Sequence, residues 1–151
     1  MKTIYTVIAL FAILTASYKA NAQTQLVKPA KENLFTKFSA NIPTAVAELD
    51  KTFLAAEGSS IQLNFGNNFS VAGTVFSSVQ RYSNLSSVLI KLPLLNNSLL
   101  SISKRINDDN TVTYVGRIIN EKYADGYELQ KDNQGHYTFN KIKTENLIED
   151  F

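Results

Sequence analysis

The sequence predicts an α+β domain, with an antiparallel meander sheet of about seven strands and one N-terminal amphipathic helix packed on its apolar face. Apolar residues recur at helical spacing over residues 43–57 and then alternate with polar residues from Ser60 to Phe139. Turn-forming residues separate the alternating runs. The chain has no Cys, so disulfides are excluded and a hydrophobic core must hold the domain together.

The first 22 residues are predicted to be a cleaved signal peptide. A basic start precedes an apolar run from Ile4 to Leu14, and Ala20-Asn21-Ala22 supplies the small residues that signal peptidase requires. An uncleaved membrane anchor or a buried helix is the alternative, but the run is shorter than the ~20 residues that span a bilayer. We therefore expect a secreted or periplasmic protein that begins at Gln23 and has no transmembrane segment after cleavage.

Signal cleavage changes the charge balance of the chain. The whole sequence has 15 basic and 13 acidic residues, and two of the basic residues, Lys2 and Lys19, precede the cleavage site. The mature chain is therefore formally neutral. Because nonspecific nucleic-acid binding relies on clustered Lys and Arg, we expect no nucleic-acid partner.

Residues 23–40 are predicted to be an N-terminal linker, and residues 41–151 a single α+β domain. The linker is polar and has no periodicity, although Leu34, Phe35 and Phe38 could pack against the domain. The length after the signal peptide is enough for one hydrophobic core.

The predicted helix covers residues 43–57. Asn41 is a suitable N-cap, and Pro43 falls in the first turn, where its missing N–H needs no partner. Gly58 is a reasonable C-terminal stop. Its apolar stripe consists of Val46, Leu49, Phe53 and Ala56.

Seven strands are expected after Ser60, because the apolar period changes from 3.6 to 2. Four tight connections are predicted to be three-residue loops whose third residue, Asn or Gly, has positive φ. A shift of one residue would place apolar side chains opposite polar ones. The predicted pairs are Phe65 with Phe69, Leu92 with Leu100, Ile90 with Ile102, Ile106 with Val112, and Leu129 with Phe139.

The apolar face of this sheet can be buried in two ways. The helix can lie across it, or the sheet can curl into a closed up-and-down β-barrel. Gly73 and Gly116 fall on the apolar face, where a missing side chain would let a helix or a ligand approach closely. We expect the helix-covered sheet, with the barrel as the alternative.

Reactive groups are scarce, so no catalytic, cofactor-binding or metal-binding residues are predicted. His136, the only histidine, is expected beside Asp132 at a hairpin end, where a solvated pair is the simplest interpretation. The run from Asp108 to Asn110 lacks the other ligands of a calcium loop and is expected to be a turn. Arg105 and Arg117 share the polar face of one hairpin and could bind a carboxylate or an acidic partner segment.

Six segments carry a resemblance to known proteins. The segments are VAGTV (71–75), SVLIK (87–91), SKRINDDN (103–110), YVGRII (114–119), ADGYEL (124–129) and YTFNK (137–141). Together they resemble small secreted proteins of Bacteroidota bacteria, and they are more weakly similar to pro-regions of secreted bacterial metalloproteases. The resemblance implies an exported bacterial domain without a catalytic motif and, unlike for a pro-region, no protease is expected to follow Phe151.

The expected function is that of an exported, non-catalytic interaction module, such as a pro-region-like inhibitor or chaperone, with a secreted or periplasmic protein as its partner. The alternative is a carrier in which a β-barrel encloses a small apolar ligand. A hydrolase comes third, because no G-x-S-x-G elbow or phosphate-binding loop is present.

Overall fold

The computed structural model describes residues 30–66 and 68–147. The predicted signal peptide and the predicted mature start at Gln23 lie outside these residues. Within them, eight strands form one antiparallel sheet in the order β1-β8-β7-β6-β5-β4-β3-β2, accompanied by one α-helix. The elements are β1 (Asn41–Thr44), α1 (Val46–Leu54), β2 (Ser60–Phe65), β3 (Phe69–Tyr82), β4 (Leu85–Leu92), β5 (Ser98–Ile106), β6 (Val112–Ile119), β7 (Asp125–Lys131) and β8 (Tyr137–Lys143).

The antiparallel sheet with an N-terminal helix is confirmed, but the expected count of about seven strands missed β1. Ile42 and Thr44 are buried while Asn41 and Pro43 are exposed, which is the two-residue period of a strand. The prediction of a helix starting at Pro43 with Asn41 as its N-cap is therefore wrong. Pro43 is tolerated because β1 is an edge strand, where a missing N–H disrupts no central ladder.

The helix is shorter than predicted at both ends. It begins at Val46 after Ala45 and ends at Leu54. Gly58 does not end the helix, since it lies in a later turn with φ 81° and donates its N–H to the Val75 carbonyl. The buried positions of the helix are Leu49 and Thr52, so the apolar stripe is narrower than the sequence indicated.

Most of the predicted register is confirmed. Phe65 pairs with Phe69, Ile106 with Val112, and Leu129 with Phe139. Three of the expected left-handed turn residues have positive φ, 61° at Asn97, 62° at Asn110 and 90° at Gly135.

The predicted register of the β4–β5 hairpin is wrong by two residues. Leu92 pairs with Ser98 rather than with Leu100, because residues 93–97 all belong to the connection. Pro93–Leu95 form a 3₁₀ turn, and Asn96 and Asn97 both have positive φ. An even shift preserves the faces of the strands, so the core remains apolar. Leu94, which would continue the apolar alternation of Ile90 and Leu92, is instead 81% exposed in the turn.

The sheet curls around its apolar face without closing into a barrel. Its two edge strands, β1 and β2, are not paired, although they approach each other where a Cβ on Gly66 would lie 3.2 Å from the Pro43 carbonyl oxygen. Leu49 of α1 covers part of the enclosed space and is fully buried. The shape therefore combines the two predicted solutions, a helix-covered sheet and a curled one.

The segment before β1, predicted as a linker, packs against the sheet. Phe35 is fully buried in the core, with Leu34 and Phe38 packed beside it. The rest of the core comes from the inner faces of the strands and from one turn. Its members are Ile42, Ile61, Leu63, Phe65, Phe69, Val71, Val75, Val88, Ile90, Leu92, Leu95, Leu100, Ile102, Tyr114, Ile118, Tyr127, Leu129, Tyr137 and Phe139.

Candidate interaction surface on the outer face of the sheet

The structure places Arg105 and Arg117 on the outer face of the β5–β6 hairpin. Arg105 pairs in register with Thr113, and Arg117 pairs with Ser101. Both arginines are exposed, because they stand at odd spacing from core residues of the same strand, Ile102 on β5 and Ile118 on β6. The two positions share a face, as the sequence indicated, but they lie at opposite ends of the hairpin.

Arg117 is already paired within the protein. Its Nε and Nη2 atoms donate to one carboxylate oxygen of Glu128, at 2.9 and 2.7 Å. Glu128 is the residue opposite Arg117 on β7. Exposed pairs of this kind contribute only about 0.2–1 kcal/mol to stability. The sequence could not reveal this pair, because the 120–125 connection has no tight-turn signature that would set the β6–β7 register.

Arg105 belongs to a group of cations that have no ion pair among the residues the structure describes. We call this group the outer cations (Arg81, Lys91 and Arg105). All three are exposed, and they lie on β3, β4 and β5. Of the three, only Arg105 was predicted from the sequence. Arg81 lies at a β-bulge in β3 that alternation does not predict.

Negative charge is absent from this part of the sheet. Strands β3, β4, β5 and β6 contain no Asp or Glu. The carboxylate of Glu128 borders them on β7 and is occupied by Arg117. The outer face of these four strands is therefore cationic, although the predicted mature chain is neutral.

Apolar side chains are exposed on the same face. Phe76 is 64% exposed, Val115 59% and Val79 43%. Val79 and Val115 stand at the two ends of one row across the sheet, with Ser87 and Ser103 between them. The ring of Phe76 lies beside a β-bulge, where the strand pairing skips from Val75 to Ser77. Exposed aromatic and β-branched side chains beside cations are typical of surfaces that bind other proteins.

Small serine side chains form the floor between these taller residues. The hydroxyls of Ser87 and Ser103 lie 2.8 Å apart across β4 and β5. Ser101 and Ser103 line two shallow clefts that open to solvent, of about 340 and 300 Å³. Val115 and Arg117 border the first cleft, and Val79, Arg81 and Leu89 border the second. The surface therefore has a low central strip along β5 that could accommodate an extended segment.

His136 lies beside Asp132 at the β7–β8 turn, as expected. The His136 Nδ1 atom is 3.2 Å from the Asp132 carboxylate, and both side chains are mostly exposed. The pKa of Asp132 is lowered, mainly because its carboxylate accepts a hydrogen bond from the main-chain N–H of His136. These contacts stabilise the β7–β8 turn. The hydrogen bonds from Thr111 to Asp109 do the same in the β5–β6 turn.

A second polar cluster, which the sequence analysis missed, ties the helix to the sheet. Asp50 accepts hydrogen bonds from Lys104 at 2.6 Å and from Tyr114 at 2.5 Å. Burial raises the pKa of the Tyr114 hydroxyl, and the Asp50 carboxylate raises it further. The phenol therefore stays protonated at neutral pH and acts as a donor rather than as a base.

No protein-family model, curated protein or solved structure matches this chain. In the ranges that the structure describes, no helix has both the length and the apolar character needed to cross a membrane, and no group of three or more His, Cys, Asp or Glu side chains is placed to hold a metal ion. The resemblance to secreted Bacteroidota proteins stays a prediction. An assignment of function must therefore start from the geometry of the outer face.

Proposed function

We propose that the protein is an exported, non-catalytic interaction module that binds an acidic segment of a partner protein on the outer face of β3–β6. The observation that carries this proposal is the charge asymmetry of the four strands. They contain no carboxylate, and the outer cations have no ion pair among the described residues. A surface of one charge sign attracts and orients a partner of the opposite sign.

The apolar residues would supply most of the affinity. Charge pairs at an exposed rim contribute little binding free energy, whereas burial of apolar area contributes about 25 cal/mol per Å². Phe76, Val79 and Val115 are available for such burial. We therefore infer that the partner segment alternates acidic and apolar residues and lies extended over Ser101 and Ser103.

The predicted signal peptide supports a partner outside the cytoplasm. A pro-region-like inhibitor or chaperone uses a folded surface to hold another protein, and the resemblance to metalloprotease pro-regions agrees with this role. Mass spectrometry of the chain recovered from the exported fraction tests the export step. A mature chain beginning at Gln23 is expected, and a full-length chain retained in the cytoplasm would contradict it.

The binding step can be tested with a labelled peptide of alternating Glu and Phe residues as the probe. Replacing the outer cations together by Gln is expected to weaken binding at least ~10-fold, with less dependence on salt, because fewer charge pairs form. A matched control replaces three exposed lysines elsewhere, so that it makes the same change in net charge. These control lysines are Lys37, Lys122 and Lys143.

Affinity capture from the exported fraction then identifies the natural partner. A partner retained by the wild type and the control variant, and lost with the outer-cation variant, supports the proposal. Equal capture by all three proteins, or no reproducible partner, would contradict it.

A carrier of a small apolar ligand is the second candidate, and a cleft between the two sheet edges favours it. This cleft has a volume of about 450 Å³, within the range of ligand pockets. Phe38, Ile42 and Phe69 contribute apolar lining, and Lys37 lies at its border. Native mass spectrometry of freshly purified protein tests this role. A bound lipid or pigment would support the carrier, and a ligand-free chain would reject it.

A further inference from the structure

The segment that precedes β1 is held by its main chain. We call residues 32–40 the arm. The Asp125 carboxylate accepts hydrogen bonds from the main-chain N–H groups of Leu34, at 2.6 Å, and of Phe35, at 2.9 Å. These donors use both oxygens of a side chain that is only 5% exposed. No cation pairs with Asp125 among the described residues, so its hydrogen-bond partners here come from the arm.

The carbonyl groups of the arm are held from the other side. Lys141 donates from its Nζ atom to the carbonyls of Phe35 and Phe38, both at 2.8 Å. The Tyr127 hydroxyl donates to the Ser39 carbonyl at 2.6 Å. Three side chains on β7 and β8 therefore bind the backbone of the arm, through a carboxylate, an ammonium group and a phenol.

Two main-chain hydrogen bonds complete the contact. The N–H of Ala124 donates to the Glu32 carbonyl at 2.8 Å, and the N–H of Lys141 donates to the Ala40 carbonyl at 2.7 Å. All of these hydrogen bonds end on main-chain groups of the arm. Such an arrangement fits a peptide with little regard to its side chains.

Sequence selectivity comes from one aromatic anchor. The Phe35 ring is fully buried and meets the Tyr127 ring edge-to-face, with 5.1 Å between the ring centroids. Phe38 packs edge-to-face on Phe69 at the same distance, but it is only partly buried. The groove therefore combines main-chain recognition with a pocket for phenylalanine, the two features by which peptide-binding sites obtain affinity and specificity.

Beyond the groove, the arm is tied to the fold through β1. This strand places Ile42 in the core, pairs only with β8 and joins the helix through Ala45. Residues 32–44 thus form a stretch that could leave the groove and β8 while the order from β2 to β8 stays intact. An empty groove would expose the Phe35 pocket and leave the Asp125 carboxylate without its donors, which is costly for a buried group.

We propose that this groove is a peptide-binding site whose second occupant is the arm of another copy of this chain. Exchange of residues 32–44 between two copies would reproduce every contact described above in a two-fold dimer. The covalent link favours the chain's own arm, because a short linker gives an effective concentration in the mM range. The exchanged dimer therefore forms when the protein is refolded at ~1 mM or higher.

The experiment co-refolds tagged and untagged full-length mature chains at high concentration and measures mixed dimers by affinity capture and light scattering. Mixed dimers are expected for the wild type and for Phe76→Leu, a control on the outer face. Phe35→Leu weakens the chain's own arm and the exchanged arm equally, because both make the same contacts, so the share of dimer is expected to stay within about twofold of the wild type. A wild type that stays monomeric would overturn the proposal.

A complementation test separates arm exchange from other association. Phe35→Ala damages the arm and leaves the groove, whereas Asp125→Ala damages the groove and leaves the arm. Only a mixture of the two variants can form one intact site, so mixed dimers should exceed dimers of either variant alone. If the mixture forms no more dimer than Phe35→Ala or Asp125→Ala alone, the proposal is overturned. If either variant fails to fold, a labelled peptide of residues 31–44 is added to Phe35→Leu, and it must bind at least ~10-fold more tightly than its Phe35→Ala version.

Discussion

Glu48 accepts a hydrogen bond from the main-chain N–H of Asn64 at 2.9 Å, so a helix side chain caps the free edge of the sheet. One turn along the helix, Lys51 donates to the carbonyl of Gln62 at 2.6 Å. The two side chains bond to edge groups of β2 that a neighbouring strand would otherwise use. Natural sheets protect their edges in comparable ways, because unpaired edges lead to association.

Removal of this cap should promote association through β2. The double variant Glu48→Ala/Lys51→Ala is expected to self-associate at lower concentration than the wild type, as measured by sedimentation velocity. The control Glu121→Ala/Lys122→Ala makes the same charge changes in an exposed connection far along the chain. Identical association of the two double variants would show that the cap does not protect the edge.

The contribution of the helix to the core can be measured with two leucines. Leu49 is fully buried, whereas Leu54, five residues later, is 86% exposed. Leu49→Ala is expected to lower the free energy of unfolding by about 2–5 kcal/mol, because it leaves a cavity under the helix. Leu54→Ala should change it by less than about 0.5 kcal/mol. Urea denaturation of both variants checks the difference, and equal losses would contradict the position of the helix.

Asp50 should make part of the stability dependent on pH. Burial would raise its pKa, but the hydrogen bonds from Lys104 and Tyr114 lower it below the ordinary value of 3.8. The charged Asp50 carboxylate therefore stabilises the fold at pH values above its ordinary pKa. This stabilisation is lost as the pH falls through the lowered pKa of the folded state.

The variant Asp50→Asn tests this dependence. We expect it to be less stable than the wild type at about pH 7, and the difference should shrink towards about pH 3. Denaturation at the two pH values measures the change, and Asp108→Asn controls for the loss of one negative charge. A difference that stays constant or grows on acidification would contradict the assignment.

Gly116 is required by the neighbouring strand rather than by a helix or a ligand, which corrects the expectation from the sequence. A Cβ at this position would lie 2.7 Å from the Ser101 carbonyl oxygen, and backbone cannot move aside as easily as a flexible side chain. Gly73 is similarly close to the side chain of Ile90. Gly116→Ala is expected to lower the free energy of unfolding by about 1–3 kcal/mol. If Gly116→Ala is as stable as the wild type in urea denaturation, β5 and β6 can move apart to make room for the added Cβ.

The sequence predicted the parts of the fold that depend on local pattern. Alternation and turn residues were enough to pair Phe65 with Phe69, because one face of each strand must be apolar. They failed at β1, since Asn41-Ile42-Pro43 also fits a helix start and its partner strand, β8, is almost 100 residues away. The pairing of β1 with β8 determines the conformation of that segment, and no pattern in the neighbouring residues indicates this pairing.

The candidate surface was predictable to a similar extent. Alternation placed Arg105 and Arg117 on one face, but the pairing of Arg117 with Glu128 required the β6–β7 register. The role of Asp125 in holding the arm was hidden for the same reason, because its donors lie 90 and 91 residues earlier in the chain.

The pairing of β1 with β8 also sets the order in which the fold can be completed. Lys141 reaches the carbonyl of Phe35 across 106 residues of chain, so the arm has no groove until the last described strand has been made. Contacts with such long separations form late and slowly. The predicted export of an unfolded chain would favour a sheet that cannot be completed until β8 has been made.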